Sequence, residues 1–416
     1  MRTLIVSDLH LGLRTGADVL RRPLPLARLL AAIDDVQRLV LLGDTLELGA
    51  GAPRTPGPDA ERVLRAIGER VGPDRPVIMV PGNHDGRLVR AWALERDRAL
   101  GIADEVPPDA TPTLAALVSW LAPARVRVSY PGVWLDDRVW ATHGHYLDRH
   151  LVPESTFGLL RSGIARTLGR DATSALGPAQ PIDYEWARRR AAARRRRRRR
   201  AAREEGFFTR LRDRPLGTLL QTVAELAREG AMPQIPQLMM RARLTPATAR
   251  LIDAQMRRSA VPAMAEVVQR LGVDADWVVF GHVHRLGPRT GLGPRTRLGP
   301  RAELGPRTGL GPRAELGPDA DPDWQRLPGG PRLLNTGAWL YEPMLLDQAQ
   351  PPHPYWPGGA VLLESGAPPR PIGLLDDLTE EQLTGPAGPP AAVPSGSAQP
   401  DTSNAPAPSA APAPVP

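Results

Sequence analysis

The sequence predicts a mixed α/β fold, and three observations predict it. Short runs of Val, Ile and Leu alternate with segments of helical period up to about residue 150. The same texture returns near residue 277, after a long stretch without strand signal. Five of the apolar runs end in polar residues able to ligate a metal.

The first run, Leu4–Val6, leads into Ser7-Asp8-Leu9-His10. On an extended backbone residues two apart point the same way, so Asp8 and His10 can grip one ion. The second run, Leu39–Leu42, ends in Gly43-Asp44, where glycine lets backbone approach a ligand closely. The third, Val77–Val80, is followed by Gly82-Asn83-His84-Asp85, which places a neutral oxygen ligand and a titratable imidazole in one tight turn. Val139–Ala141 leads to His143-Gly144-His145, and Trp277–Phe280 to Gly281-His282-Val283-His284.

Each motif alone has a plain explanation: a solvated loop, a turn aspartate, a histidine packed in the core. Their sum does not. Of eight histidines, seven (10, 84, 143, 145, 150, 282 and 284) lie in or beside these motifs, and only His353 lies elsewhere. Ligands of open α/β sheets bind beyond the carboxyl ends of strands, so five strands would deliver Asp, Asn and His to one edge. Two divalent ions against Asp8 and Asp44 would leave a positive excess that attracts an anion such as phosphate.

Composition narrows the chemistry. There is no cysteine, which excludes disulfides and thiolate metal sites and leaves His, Asp, Glu and Asn as ligands, a set suited to hydrolysis rather than redox work. The first apolar run is too short for a signal peptide, and no run reaches membrane-spanning length, so a cytoplasmic protein is expected. The net charge of +8 is local, because ten arginines lie between Arg188 and Arg200. That block reads as an exposed charged helix or a flexible arm, and it could contact nucleic acid or an acidic surface.

At 416 residues with 48 prolines and 40 glycines, the chain is too long and too rich in loop formers for one compact unit. Residues 1–150 read as the first part of a catalytic core, and 151–272 as a helical, Arg-rich insertion with spacing such as Leu219, Leu220, Val223 and Leu226. Residues 273–378 read as the second part of the core. They are interrupted by a Leu-Gly-Pro-Arg repeat loop at 286–318, where recurring proline disfavours regular structure. Residues 379–416 form a Pro/Ala-rich tail expected to stay outside any core. The Leu and Met content of the insertion would also suit an apolar substrate or peripheral contact with a membrane surface.

Taken in order, Asp8-x-His10, Gly43-Asp44, Gly82-Asn83-His84-Asp85, His143 and Gly281-His282-x-His284 resemble the signature of the calcineurin-like metallophosphoesterases. Asn335-Thr336-Gly337 resembles that family's late Asn-x-Gly loop. The resemblance implies a four-layer α-β-β-α sandwich of two mixed sheets, with the insertion as a helical cap. It also implies two divalent ions (Mn, Fe, Zn or Mg), one held by Asp8, His10, Asp44 and His284, the other by Asp44, Asn83, His143 and His282, with Asp44 bridging. The implied reaction is hydrolysis of a phosphodiester, phosphomonoester or pyrophosphate bond by a metal-activated hydroxide. His84 would act on the transition state or leaving oxygen, Asp85 would orient its ring, and His145 would stand behind the ligands or face the substrate. Ser7-Asp8-Leu9-His10-Leu11-Gly12 and the insertion are similar to the UDP-2,3-diacylglucosamine hydrolase branch, which carries Arg where this chain has His84. Two other readings compete: a DNA or RNA nuclease of the same superfamily whose arginine block neutralises backbone phosphates, and a non-catalytic anion-binding scaffold. The intact ligand set argues against the scaffold.

Overall fold

A computed structural model describes residues 1–49, 57–150, 180–204, 260–287, 330–343, 345–346 and 349–385. Eleven strands lie among them: β1 (Arg2–Val6), β2 (Arg38–Leu41), β3 (Pro76–Met79), β4 (Asp104–Val106), β5 (Arg125–Tyr130), β6 (Gly132–Asp136), β7 (Val139–Thr142), β8 (Trp277–Phe280), β9 (Arg332–Asn335), β10 (Gly359–Glu364) and β11 (Arg370–Gly373). They form a seven-stranded sheet in the order β11-β10-β1-β2-β3-β5-β4 and a four-stranded sheet in the order β6-β7-β8-β9. Both sheets are mixed. Strands β1, β2, β3 and β5 are parallel with β10 and β4 opposed, while β7, β8 and β9 are parallel with β6 opposed.

The layers follow from the two-residue period of a strand. Leu4 and Val6, Leu39 and Leu41, and Val77 and Met79 pack in one cluster with Leu29 and Ile33, Val63 and Ile67, and Leu114 and Leu117. Those partners come from helices α1 (Pro23–Asp34), α2 (Pro58–Val71) and α4 (Pro112–Trp120). The alternate residues Ile5, Val40, Leu42, Ile78 and Val80 pack instead against Leu135, Val139, Ala141, Val279 and Leu334 of the second sheet. On that sheet's far face Trp140, Val278, Phe280 and Leu333 meet Val261, Met264 and Val268 of a helix over 260–271. The result is helix, sheet, sheet, helix. Each fully buried Val, Leu or Ile contributes about 1.5–3 kcal/mol, so strands buried on both faces hold the centre rigidly.

Local chemistry starts the helices where they are needed. Prolines at the first turns of α1, α2 and α4 occupy positions whose N–H has no helical partner. Thr111 caps α4 by accepting from the Leu114 N–H at 3.1 Å. Short helix α3 (Arg90–Arg96) follows the loop after β3.

Of the expected insertion at 151–272, helix α5 (Pro181–Glu204) and helix α6 (260–271) are described, and the remainder lies outside the described residues. Helix α5 packs on α3, and its Ile182 and Tyr184 join two different cores. Arg188, expected in a solvated block, turns inward and is partly buried, because Glu185 one turn earlier draws it toward the core. The repeat loop also starts later than expected. Leu286 is fully buried and Gly287 pairs with Asn335 in a β-bridge, so these two residues belong to the fold, while 288–318 lie outside the described residues. A tail beginning at 379 is likewise corrected. Thr379 and Gln382 form a reciprocal capping box, helix α7 (Glu380–Thr384) follows, and its Leu383 is buried; 386–416 lie outside the described residues. No described helix is long and apolar enough to cross a membrane.

Candidate metal centre

The strands that the sequence singled out converge at their carboxyl ends. Asp8 and His10 follow β1, Asp44 follows β2, Asn83 and His84 follow β3, His143 and His145 follow β7, and His282 and His284 follow β8. Ligand atoms of Asp8, His10 and His284 lie within 4.8 Å of one another, as do those of Asp44, His143 and His282. A third, overlapping set joins His10, Asp44 and His84. Asn83 Oδ1 lies 3.1 Å from His143 Nε2, on the Asp44 side.

The backbone is strained to achieve this. Among the described residues six non-glycine positions have left-handed φ, and five are Asp8 (54°), His10 (45°), Asp44 (49°), His282 (73°) and His284 (58°). Such conformations cost on the order of 1–3 kcal/mol each and persist where the surroundings impose them for function. Glycines make room beside them. A Cβ on Gly43, itself at φ 87°, would enter the His143 ring, and one on Gly281 would enter the Ser7 and Asp8 side chains.

Four buried atoms at the convergence, Asp8 Oδ1, His10 Nε2, Asp44 Oδ2 and His282 Nδ1, have no hydrogen-bond partner among the described residues. Leaving one buried polar group unsatisfied costs about 1–3 kcal/mol, so four facing one centre call for a ligand. His143 Nε2 stands 3.2 Å from Asp44 Oδ2, and His284 Nε2 stands 3.2 Å from Asp8 Oδ1. His10 Nε2 is 3.9 Å from Asp8 Oδ1 and 3.8 Å from Asp44 Oδ2. With N and O ligands at about 2.0–2.2 Å from an ion, neighbouring ligand atoms sit ~3–3.5 Å apart. The residues present therefore fit a metal.

The opposite edge of each imidazole is held. His10 Nδ1 meets Glu47 Oε2 at 3.1 Å, His282 Nε2 meets Asp148 Oδ1 at 2.9 Å, His284 Nδ1 lies 3.6 Å from Glu342 Oε1, and His143 Nδ1 donates to the Leu42 carbonyl at 3.0 Å. A carboxylate or carbonyl behind a ligating histidine fixes its tautomer and raises its basicity. The carboxylates are tied as well. Asp8 Oδ2 accepts from the His282 N–H at 2.9 Å and from Ser7, and Asp44 Oδ1 accepts from the His84 N–H at 2.7 Å, which leaves the other oxygen of each facing inward. The late loop braces this arrangement: Asn335 Nδ2 donates to the Gly281 carbonyl at 2.6 Å, and Thr336 Oγ1 meets Ser7 Oγ at 2.5 Å.

Electrostatics agree with the geometry. Burial opposes charge on His143, yet the Asp44 and Asp8 carboxylates outweigh it and push the imidazole up to about 9. Asp8 is held down at about 2, its burial outweighed by His143 and His284. His84 is raised against its burial by Asp44 and Glu47.

One expected role changes. Asp85 does not touch the His84 ring. Its Oδ1 accepts from the Gly82 N–H at 2.6 Å and its Oδ2 from the Thr45 N–H at 2.8 Å, so it staples the Asn83 loop to the Asp44 loop. The group against His84 is Glu47, whose Oε2 lies 2.7 Å from Nδ1. His145 is buried and bound to Arg188, whose Nη1 donates to Nε2 at 2.8 Å; burial and the Arg188 charge hold its pKa well below the usual value. Sequence reasoning missed Glu47, Asp148 and Glu342. The available signal was proximity, since Glu47 stands three residues after Asp44 and Asp148 five after His143.

A two-sheet α/β sandwich whose strand ends gather these Asp and His ligands defines a metal-dependent phosphoesterase. Residues 1–187 match the family model for calcineurin-like phosphoesterases. His282 and His284 come from beyond the matched segment. No curated protein matches the chain.

Proposed function

We propose that the chain is a dinuclear metal-dependent hydrolase of a phosphodiester, phosphomonoester or pyrophosphate bond. One ion would be held by Asp8, His10, Asp44 and His284, the other by Asp44, Asn83, His143 and His282. The observation that carries this reading is the set of orphaned buried atoms, Asp8 Oδ1, His10 Nε2, Asp44 Oδ2 and His282 Nδ1, each on a side chain whose other polar atom is tied down. When bound, the ions supply Lewis-acid polarisation of the phosphoryl group and lower the pKa of a water toward neutrality.

The chain's own residues do the rest. Asp44 Oδ2 lies near both His10 and His143, the position a shared ligand needs. Two carboxylates against two divalent ions leave a positive excess that draws in an anionic ester. His84 donates from Nδ1 to Glu47, and in the imidazolium form, which Asp44 and Glu47 favour against its burial, Nε2 carries a second proton for a phosphoryl oxygen or a leaving alkoxide. Asp85 keeps the Asn83 and Asp44 loops in register. Helix α6 belongs to the outer layer of the core, and α5, seated on α3, would be the base of a cap.

The test is hydrolysis of bis-p-nitrophenyl phosphate and p-nitrophenyl phosphate by metal-stripped protein, with manganese, zinc, iron or magnesium restored, beside Asp44→Asn and His84→Ala. The expected result is metal-dependent turnover lost with Asp44→Asn and strongly reduced with His84→Ala while the protein still binds metal. Turnover that survives Asp44→Asn overturns the reading.

A further inference from the structure

Beside the metal centre lies a cluster of arginines. Arg188 of α5 donates from Nη1 to His145 Nε2 at 2.8 Å and to Tyr130 Oη at 3.2 Å, and it reaches Glu185 Oε1 at 3.2 Å. Its other terminal nitrogen, Nη2, points elsewhere. Arg188 Nη2 and Arg90 Nη2 stand 3.3 and 3.2 Å from one point, the place a Cβ on Gly86 would take. Gly86 follows Asp85 and is three residues from Asn83, so the two guanidiniums meet at the edge of the ligand loops.

Arg90 is half-buried, and no acid or acceptor bonds its guanidinium among the described residues. Burial works against its charge, and so do the neighbouring charges of Arg188 and Arg87. Glu185, the acid whose field reaches it, is already engaged by Tyr130, by Tyr146 at 2.9 Å and by Arg188. Two guanidiniums held together against one committed carboxylate leave a net positive charge that favours an anion between or beside them. A planar guanidinium fork matches the oxygens of a phosphate.

We propose that Arg90 and Arg188 form a second anion site next to the metal centre, taking a phosphate group that the substrate carries beyond the scissile one. The inference rests on the hydrolase reading for the word substrate, but the anion site itself does not. A glycine at position 86 keeps the space open, since a side chain there would press on both guanidiniums.

The first arm needs no catalysis. Inorganic phosphate is titrated into the metal-stripped full chain by calorimetry, with wild type beside Arg90→Gln and Arg188→Lys. Arg90→Gln removes no hydrogen bond and should keep its melting temperature, while losing phosphate affinity tenfold or more; Arg188→Lys, which keeps charge but loses the fork, should lie between. The second arm uses two chromogenic esters with the same scissile bond, thymidine 5′-(p-nitrophenyl phosphate) with and without a 3′-phosphate, hydrolysed by the manganese-loaded protein. Arg90→Gln should lower kcat/KM at least tenfold for the ester with the second phosphate and less than twofold for the other. Unchanged phosphate binding in Arg90→Gln, or no measurable binding by wild type, overturns the site. Equal loss on both esters overturns its role in substrate recognition. Phosphate binding that depends on Arg90, with neither ester turned over by wild type, keeps the anion site and sinks the hydrolase reading.

Discussion

Two buried polar clusters lie side by side in this protein, and they solve opposite problems. At the seat of α5, Glu185 accepts from Tyr130 and Tyr146 and pairs with Arg188, and Arg188 in turn donates to His145. The carboxylate and both hydroxyls of that seat are engaged. At the metal centre four buried side-chain atoms have no hydrogen-bond partner among the described residues, and five residues there hold a left-handed backbone. A cluster that spends its carboxylate and hydroxyls on itself fastens a helix. A cluster that withholds them stores strain and unmet bonding for something that arrives from outside.

The sharpest way to break this comparison is to remove a withheld atom. Asp44→Asn keeps the shape of the side chain but loses the charge that His10 and His143 face. Loss of the ligand proposed to bridge two ions should lower phosphoesterase turnover on the order of 10³-fold or more, several kcal/mol of transition-state stabilisation. The metal-free fold should survive, with a melting temperature near that of metal-free wild type. Loss of the fold along with activity would mean that Asp44 is structural, and the contrast would collapse.

Glu185→Ala attacks the other cluster. Removing one partner of a buried pair typically costs about 3–5 kcal/mol, because the remaining charge is left uncompensated. At about 2–4 °C per kcal/mol for a domain of this size, the melting temperature should fall by roughly 10 °C. Metal content per molecule of folded protein should not change. A smaller effect is expected for Glu47→Gln, which weakens the support behind His10 and His84 without removing a ligand. Replacing such an outer partner costs about 10–100-fold in metal affinity or activity. If Glu47→Gln proves as damaging as Asp44→Asn, Glu47 itself touches metal or substrate.

The sequence made one of the clusters legible and hid the other. Asp8, His10, Asp44, Asn83, His143, His282 and His284 could be read because each follows a short apolar run, where backbone geometry alone decides where a side chain goes. Glu47, Asp148 and Glu342 act across loops, and no spacing rule connects them to the imidazoles they support. Glu185 was harder still, since it sits in a helix followed by ten arginines and looks like one more surface charge. The α/β class was visible, but the division into two sheets was not. Strands such as β1 and β2 are buried on both faces, so their apolar runs carry no alternation to show that Ile5 and Val40 face a second sheet. That part of the expectation came from the family resemblance alone.

The smallest expected effect is a pH dependence, and it separates the two clusters by sign. In metal-free protein, burial works against a charged His143, but Asp44 and Asp8 raise it from an ordinary 6.5 to about 9, and Asp8 and Glu342 raise His284 as well. A protonated imidazole cannot ligate, so each such proton must leave when metal binds. Apparent metal affinity should therefore rise up to tenfold per pH unit for each proton displaced, and level off above about 9. Stability should move the other way in the metal-free state. A histidine raised on folding stabilises fully below its unfolded value near 6.5, and that contribution fades as pH climbs through about 9. Melting temperatures of metal-stripped protein should thus fall between pH 6.5 and 9, while metal-loaded protein, whose His143 carries no proton to lose, should not follow. The seat of Glu185 should leave no mark on this profile, because burial and the Glu185 charge raise both tyrosines above their ordinary value. A Glu185→Ala protein should consequently give the same pH slope as wild type at a lower temperature. If its slope differs, the two clusters are electrostatically one site.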